Sequence, residues 1–286
     1  MRSKLVVLVL ALALSACRRD AASEHLSQSS EHDHGTAAQA TTAPATDTAA
    51  PAPGPTAELP KVTFGEASGF LATPTSGPAK KPALIVIQEW WGVDDYIKRE
   101  TARFAEQGYV ALAVDLYRGK VTASMEEAHE LSRGLPEDRA MGDLKAAFDY
   151  LASREDVDPQ RIGVIGWCLG GGYALALATQ EPRLKATVIN YGRLITEPGT
   201  IAKINGPVLG NFGDQDRGIP VDDVKKFSAA LTAAGKPGDV KIHEGAGHAF
   251  MNPNNKQGYN AAAAQDAQGR IDRFFDQTLR ANISNS

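Results

Sequence analysis

The feature that most constrains the fold is an alternation of short apolar runs with longer amphipathic stretches between residues 60 and 280. Apolar strands that alternate with helices are typical of a mostly parallel sheet covered by helices on both faces. Residues 61–73 are predicted to add one or two antiparallel edge strands. The predicted strands are 83–88, 109–114, 161–166, 186–190, 208–212 and 240–243, and the predicted helices are 96–107, 123–133, 137–154, 169–180, 221–234 and 258–279. We therefore expect one α/β domain over residues 60–286, with ligands beyond the carboxyl ends of the strands.

Residues 1–16 have the pattern of a secretory signal peptide. Arg2 and Lys4 give a positive start, and residues 5–14 are an apolar run. That run is too short to span a bilayer core of roughly 30 Å at about 1.5 Å per residue. We therefore predict export and removal of this segment, and no membrane-spanning helix.

The end of this segment indicates lipidation. Residues 14–17, with the sequence LSAC, resemble a bacterial lipobox. That resemblance implies cleavage before Cys17 and a diacylglyceryl group on its sulfur; the alternative is a soluble exported protein cut near Ala16. Arg18 follows, where an aspartate would signal retention in the inner membrane. We expect an extracytoplasmic protein anchored to a bacterial membrane through Cys17, the outer membrane being favoured if the cell is Gram-negative.

Residues 17–59 are rich in Ala, Thr, Ser and Pro and contain almost no large apolar side chain. Such a segment buries too little surface to offset the entropy of ordering, so we predict a flexible tether. It includes His25, His32 and His34, which could scavenge a metal ion. Histidines without a fixed scaffold are more typical of a solvated linker, and we predict no metal site.

The net charge and the number of cysteines limit the functions that this chain can have. The formal net charge of −4 shows no excess of basic residues of the kind that binds nucleic acid. The chain has two cysteines, and if Cys17 carries lipid, Cys168 has no intramolecular partner in a compartment that oxidises thiols. Cys168 is then either a small buried apolar residue or a functional thiol.

The neighbours of Cys168 favour the functional thiol. A strand ends at Gly166, and a helix begins near Leu169, so Gly166, Cys168 and Gly170 form the G-x-nucleophile-x-G turn with cysteine in place of serine. The flanking residues must be small because strand and helix pass closely there. A sulfur at a helix N-terminus is also favoured as the thiolate. The alternative is a glycine-rich turn with a packed cysteine.

A base and an acid follow in the required order. His248 lies in a glycine-rich loop after the last predicted strand, whereas His243 lies within that strand and is predicted to be structural. The loop after the preceding strand offers Asp214 and Asp216, of which Asp216 lies nearer its far end. The order nucleophile, acid, base predicts a triad of Cys168, Asp216 and His248.

Several motifs resemble those of the dienelactone hydrolase family, and they cover about 220 residues in the family's order. They are residues 88–93 (QEWWGV), 115–117 (DLY), 166–171 (GWCLGG), 213–216 (GDQD) and 247–250 (GHAF). The resemblance implies an α/β-hydrolase fold and acyl transfer on small esters or lactones without a metal or organic cofactor.

The resemblance also assigns roles to single residues. Cys168 is implied as the nucleophile, His248 as the base and Asp216 as its orienting acid. Glu89 is implied as the carboxylate that holds the resting thiol and is displaced by substrate. The backbone N–H groups of Leu169 and Trp90 are implied as the oxyanion hole.

The substrate pocket departs from the family pattern. Asn252 stands where an arginine reads the substrate carboxylate, and a second arginine and a tyrosine align with Met125 and His129. An amide and a thioether cannot replace a bidentate carboxylate clamp, so we expect that anionic dienelactone is not preferred. Other residues placed at the pocket or its mouth are Trp90, Trp91 and Tyr117, while Arg193 and Arg217 could supply a cation from another loop or lie on the surface.

Two alternatives stay open at this stage. One is a non-catalytic envelope binding module that keeps the fold but has lost turnover. The other keeps the triad and acts on thioesters or peptides. We expect a monomer whose partners are a small-molecule substrate and, through the lipid, a membrane.

Overall fold

A computed structural model describes residues 58–280 of this protein. The predictions for the signal peptide, for Cys17 and for the tether up to residue 57 lie outside the described residues. Between residues 58 and 280, no helix is both long and apolar enough to cross a membrane.

The centre of the domain is an eight-stranded sheet with the order β1-β2-β4-β3-β5-β6-β7-β8. Only the pairs β1–β2 and β2–β4 are antiparallel in this sheet, and the other pairs are parallel. The strands are β1 Lys61–Phe64, β2 Ala67–Ala72, β3 Lys81–Ile87, β4 Val110–Val114, β5 Val157–Trp167, β6 Ala186–Asn190, β7 Val208–Gly213 and β8 Gly238–His243. The mostly parallel sheet with antiparallel strands at one edge is confirmed.

Helices cover both faces of the sheet. They are α1 Asp95–Glu106, α2 Met125–Arg133, α3 Glu137–Ser153, α4 Leu169–Ala178, α5 Pro198–Ile201, α6 Val221–Ala233 and α7 Ala261–Phe275, the last followed by a π-helical turn, Asp276–Arg280. Side chains of a strand alternate between the two faces of the sheet, so each buried strand contributes side chains to the apolar core on each face. Leu84 packs in the core beneath α1 and α7, whereas its neighbour Ile85 packs in the core beneath α3, α4 and α6.

Two elements differ from the sequence-based expectation. Strand β5 starts at Val157 rather than near residue 161, because Val157 pairs with Lys81 of β3 across a register shift. Helix α5 was not predicted, and its four residues are too few to show a helical period. Neither difference moves the carboxyl ends of the strands.

Those carboxyl ends position the candidate site. Glu89 follows β3, Cys168 follows β5, Asp216 follows β7 and His248 follows β8. Because β3, β5, β7 and β8 run parallel, their C-terminal loops meet at one edge of the sheet.

Candidate active site

The turn that carries Cys168 is tightly constrained. Cys168 has a φ of 53° and a ψ of −115°, a conformation that a residue with a side chain rarely adopts. Its N–H donates to the Asn190 carbonyl at 3.0 Å, and its carbonyl accepts from Gly171 N–H at 3.1 Å. A methyl group on Gly166 would overlap the Gly170 carbonyl, so this glycine is required for the close approach of strand and helix. The backbone therefore presents the Cys168 side chain at the start of α4.

Cys168, His248 and Asp216 form a continuous hydrogen-bonded chain. The Cys168 Sγ lies 3.1 Å from His248 Nε2, and His248 Nδ1 lies 2.7 Å from Asp216 Oδ2. The other carboxylate oxygen of Asp216 accepts from Gly218 N–H at 2.8 Å and from Ile219 N–H at 3.1 Å. Asp216 is buried and Cys168 is half-buried. The structure brings together the three residues that the sequence nominated.

The loops that carry the acid and the base are tied to each other. Gln215 N–H donates to the Ala246 carbonyl at 2.9 Å. Asp214, the other candidate acid, accepts from Gly245 N–H at 2.8 Å. Asp214 therefore braces the His248 loop, while Asp216 contacts the imidazole.

The electrostatics of the triad favour a protonated imidazole. Burial lowers the pKa of His248, but its hydrogen bonds to Asp216 and Cys168 outweigh this and raise the pKa to about 10. Burial alone would raise the pKa of Asp216, yet the bond to His248 and two backbone N–H groups hold it below its usual value. The imidazolium is thus stabilised between an acid on one side and a sulfur on the other.

Glu89 lies beside this chain and is 1% exposed. Its Oε2 accepts from Asn252 Nδ2 at 2.6 Å, and its Oε1 accepts from the Tyr191 hydroxyl at 3.3 Å. Burial raises the pKa of Glu89 to about 7, against the lowering effect of the Asn252 bond. Over residues 58–280, the sulfur of Cys168 is hydrogen-bonded to His248 and the two Glu89 oxygens accept from Asn252 and Tyr191, so the expected hydrogen bond between Glu89 and the resting thiol is not formed in this structure. The displacement of Glu89 by substrate stays a prediction.

Asn252 lies deeper than the sequence suggested. It is 2% exposed, and its Oδ1 accepts from Asn254 N–H at 2.9 Å while its Nδ2 is bound to Glu89. Both ends of the amide are used within the protein. Tyr191 was not nominated from the sequence; its position directly after β6, at the carboxyl edge of a parallel sheet, was the available signal.

The first turn of α4 packs against the loop that follows β3. A methyl group on Gly170 would overlap the carbonyl oxygens of Ile87 and Gln88. The N–H groups in a first helical turn have no acceptor within the helix, and Leu169 is the first residue of α4. Trp90 follows Gln88 by two residues. The placement of Leu169 and Trp90 is therefore compatible with their implied role as oxyanion donors.

Aromatic and apolar side chains gather at the same end of the sheet. Trp90 makes edge-to-face contacts with Trp91 at 4.9 Å and with His129 at 4.8 Å between ring centroids. Met125, on the same helix as His129, is 64% exposed. Tyr117 is buried, and within residues 58–280 its hydroxyl has no hydrogen-bond partner. Burial, followed by the charge of Cys168, raises the pKa of Tyr117 above its usual value.

The remaining polar candidates have separate places. His243 is buried, and its Nε2 lies 3.2 Å from Asn211 Oδ1, in agreement with a structural role. Burial lowers the pKa of His243 to about 4. Arg193 and Arg217 are exposed. Over residues 58–280, no group of three or more His, Cys, Asp or Glu side chains could hold a metal ion.

Comparison with known proteins identifies the family of this chain. The sequence profile of the dienelactone hydrolase family matches residues 67–279, which is most of the chain. The chain belongs to the dienelactone hydrolase family. It is a hydrolase with the α/β-hydrolase fold, as the motifs had implied.

Individual relatives are similar over the same region. A Methylorubrum extorquens protein named "Putative carboxymethylenebutenolidase" is 34% identical over 227 residues, which is 74% of this chain and 77% of that protein. An Escherichia coli K12 protein of the same name is 33% identical over 222 residues, covering 73% and 81% of the two chains. A crystal structure named "Putative Dienelactone Hydrolase" from Klebsiella pneumoniae has a TM-score of 0.70 and 29% identity, over 77% of this chain and 98% of that one.

Proposed function

We propose that this dienelactone hydrolase family member cleaves carboxylic esters or lactones through a thioester on Cys168. The observation that supports this most directly is the unbroken hydrogen-bonded chain from Cys168 through His248 to Asp216, with distances of 3.1 Å and 2.7 Å. A nucleophile within reach of a base that is itself oriented by a buried acid is the arrangement that acyl transfer requires.

In the first proposed step, the Cys168 thiolate bonds to the substrate carbonyl carbon, and one C=O electron pair moves to the oxygen. The oxyanion accepts hydrogen bonds from the N–H groups of Leu169 and Trp90. When the intermediate collapses, the C–O bond breaks and the leaving oxygen takes a proton from His248. The products of this step are a thioester on Cys168, a neutral His248 and an alcohol, or a hydroxyl on the same molecule if the substrate is a lactone.

In the second proposed step, neutral His248 takes a proton from water, and the hydroxide adds to the thioester carbonyl. The C–S bond then breaks, which releases the carboxylic acid and restores the thiolate. Asp216 keeps the imidazole in the required tautomer throughout and stabilises its charged form. Every proton that leaves His248 is thus returned by the attacking water.

The decisive experiment compares the parent enzyme with Cys168→Ala on p-nitrophenyl acetate. We expect an initial burst of nitrophenol equal to the enzyme concentration, a mass increase of one acetyl group on Cys168, and loss of both in the variant. A non-catalytic binding module would show neither burst nor turnover. Undiminished hydrolysis by Cys168→Ala would overturn the proposal.

We also propose that the enzyme is exported and anchored to a bacterial membrane by lipid on Cys17. The support is the resemblance of residues 14–17 to a bacterial lipobox, directly after the apolar run of residues 5–14. Labelled palmitate should enter the parent chain and fail to enter a Cys17→Ser variant. Incorporation that survives this substitution would contradict the anchor.

A further inference from the structure

The Glu89 carboxyl is held by one donor on each oxygen. Asn252 Nδ2 donates to Oε2 at 2.6 Å, and the Tyr191 hydroxyl donates to Oε1 at 3.3 Å. The carboxyl is almost completely buried. A buried carboxyl with both oxygens engaged by fixed side chains cannot change partner unless one of these bonds breaks.

The orientation of the Asn252 amide is determined by its own loop. Its oxygen accepts from Asn254 N–H at 2.9 Å, so the NH₂ group is the end that faces Glu89. Asn252 N–H also donates to the Ala249 carbonyl at 3.1 Å. Asn252 therefore acts only as a donor to Glu89, and an acceptor at this place would be repelled.

Tyr191 connects Glu89 to the catalytic base. It is fully buried with a φ of 40°, and its N–H donates to the Asn211 carbonyl at 2.8 Å. Its ring contacts the His248 imidazole edge-to-face, with the centroids 5.4 Å apart. The same side chain thus touches the triad with its ring and Glu89 with its hydroxyl.

We propose that Asn252 and Tyr191 are positioning residues that hold the Glu89 carboxyl to themselves rather than to Cys168, and thereby set the pH range over which the Cys168–His248 pair reacts. This inference rests on the proposed function, because it concerns the reactivity of the same sulfur. Neither residue needs to touch the substrate for this role.

The physical basis is the charge on Glu89. An ionised Glu89 stabilises the nearby His248 imidazolium, and a neutral one does not. Other groups that face Glu89 are Asp94, which caps the N-terminus of α1, Tyr96 within α1, and Tyr191 after β6. Because burial raises the pKa of Glu89 to about 7, its charge changes close to neutral pH, and its hydrogen-bond donors decide where.

The test measures the rate at which iodoacetamide alkylates Cys168 between about pH 5 and about pH 9, which brackets the pKa of the buried carboxyl. The parent should show an inflection near neutral pH that Glu89→Gln abolishes. Asn252→Asp places a second carboxyl 2.6 Å from the first, so the inflection should move up by at least about one pH unit. Tyr191→Phe removes the longer bond and should move it up by less.

Asn255→Ala is the matched control for a merely loosened loop. The Asn255 amide donates to the His248 carbonyl at 3.1 Å and to the Ala249 carbonyl at 3.4 Å. This variant should lower the alkylation rate at every pH and leave the inflection in place. An equal shift in Asn255→Ala would overturn the inference.

A second readout follows the carboxyl itself. The infrared band of a protonated buried carboxyl that disappears in Glu89→Gln should titrate at higher pH in Asn252→Asp and in Tyr191→Phe than in the parent. An unmoved band and an unmoved inflection in both folded variants, or a parent without an inflection, would contradict the inference. These measurements need no substrate, so they fail independently of the Cys168→Ala experiment on ester hydrolysis.

Discussion

The side chains of Asn252 and Glu89 meet at 2.6 Å although the two residues are 163 positions apart in the sequence. This bond, together with the one that Asn252 accepts from Asn254 N–H, engages both ends of the amide inside the protein. At the position where the family resemblance implies a carboxylate-reading arginine, the chain thus has an amide that is hydrogen-bonded within the protein, and this bears on the choice of substrate.

We predict that a free carboxylate on the substrate brings no advantage. The buried amide of Asn252 carries no charge and is not available to an anion. The measurement is kcat/KM for dienelactone with its free carboxylate and for its methyl ester. We expect the methyl ester to be hydrolysed at least as efficiently; a preference of about tenfold or more for the acid would mean that another cation reads it.

We predict that Asp216→Asn and Asp214→Asn differ sharply, although both change one loop. Asp216 is bonded to His248 at 2.7 Å, whereas Asp214 is bonded to the backbone of Gly245. Asp216→Asn should lower kcat roughly 10³-fold because the imidazole loses its orienting charge. Asp214→Asn should change kcat by less than about threefold and stability by about 1 kcal/mol. Similar kcat values for the two variants would show that the acid is misassigned.

We predict that Gly170→Ala destabilises the fold by about 3 kcal/mol, since the new methyl group meets the backbone oxygens of Ile87 and Gln88. The matched control is Gly142→Ala in the middle of α3, where a methyl group meets nothing within 4 Å. That change should stabilise the protein by about 0.5–1 kcal/mol because alanine favours helices over glycine. Urea denaturation of the three proteins measures both differences.

We predict that the contribution of Glu89 to the free energy of unfolding falls as the pH rises and the carboxyl loses its proton. Its pKa is raised from 4.5 to about 7 on folding, so between these values the unfolded chain has released a proton that the folded chain retains. Its contribution to the free energy of unfolding is then fully lost above about pH 7, on the order of 3 kcal/mol. The free energy of unfolding of Glu89→Gln, measured by urea denaturation, should therefore rise relative to that of the parent as the pH increases from 4.5 to about 7. A difference that does not vary with pH would refute the assignment.

Much of the fold follows from the sequence because strands and helices of this class have strong local patterns. The apolar runs that became β3 to β8 predicted the parallel sheet, and the glycines around Cys168 predicted the turn between β5 and α4. Helix α5 carried no periodic signal, and the early start of β5 depends on its pairing with Lys81, which is a tertiary contact.

The triad could be nominated for a similar reason: each member follows a recognisable strand. The hydrogen bonds that Tyr191 and Asn252 donate to Glu89 could not be predicted, because they depend on the conformations of two loops. Tyr191 reaches Glu89 from a backbone with a φ of 40°, and Asn252 reaches it after a turn in which Ala249 has a φ of 56°. Nothing in the local sequence specifies how such loops direct their side chains.

The backbone conformation of Cys168 places its sulfur at the candidate site but lowers the stability of the fold. A side chain at a φ of 53° and a ψ of −115° costs about 1–3 kcal/mol relative to glycine, which adopts such angles freely. Glycine at this position would relieve the strain of the turn and remove the sulfur that we propose as the nucleophile. Laboratory evolution of this chain for thermal stability alone would therefore favour substitutions that remove the sulfur and inactivate the protein. A selection for a more stable enzyme must also require hydrolysis.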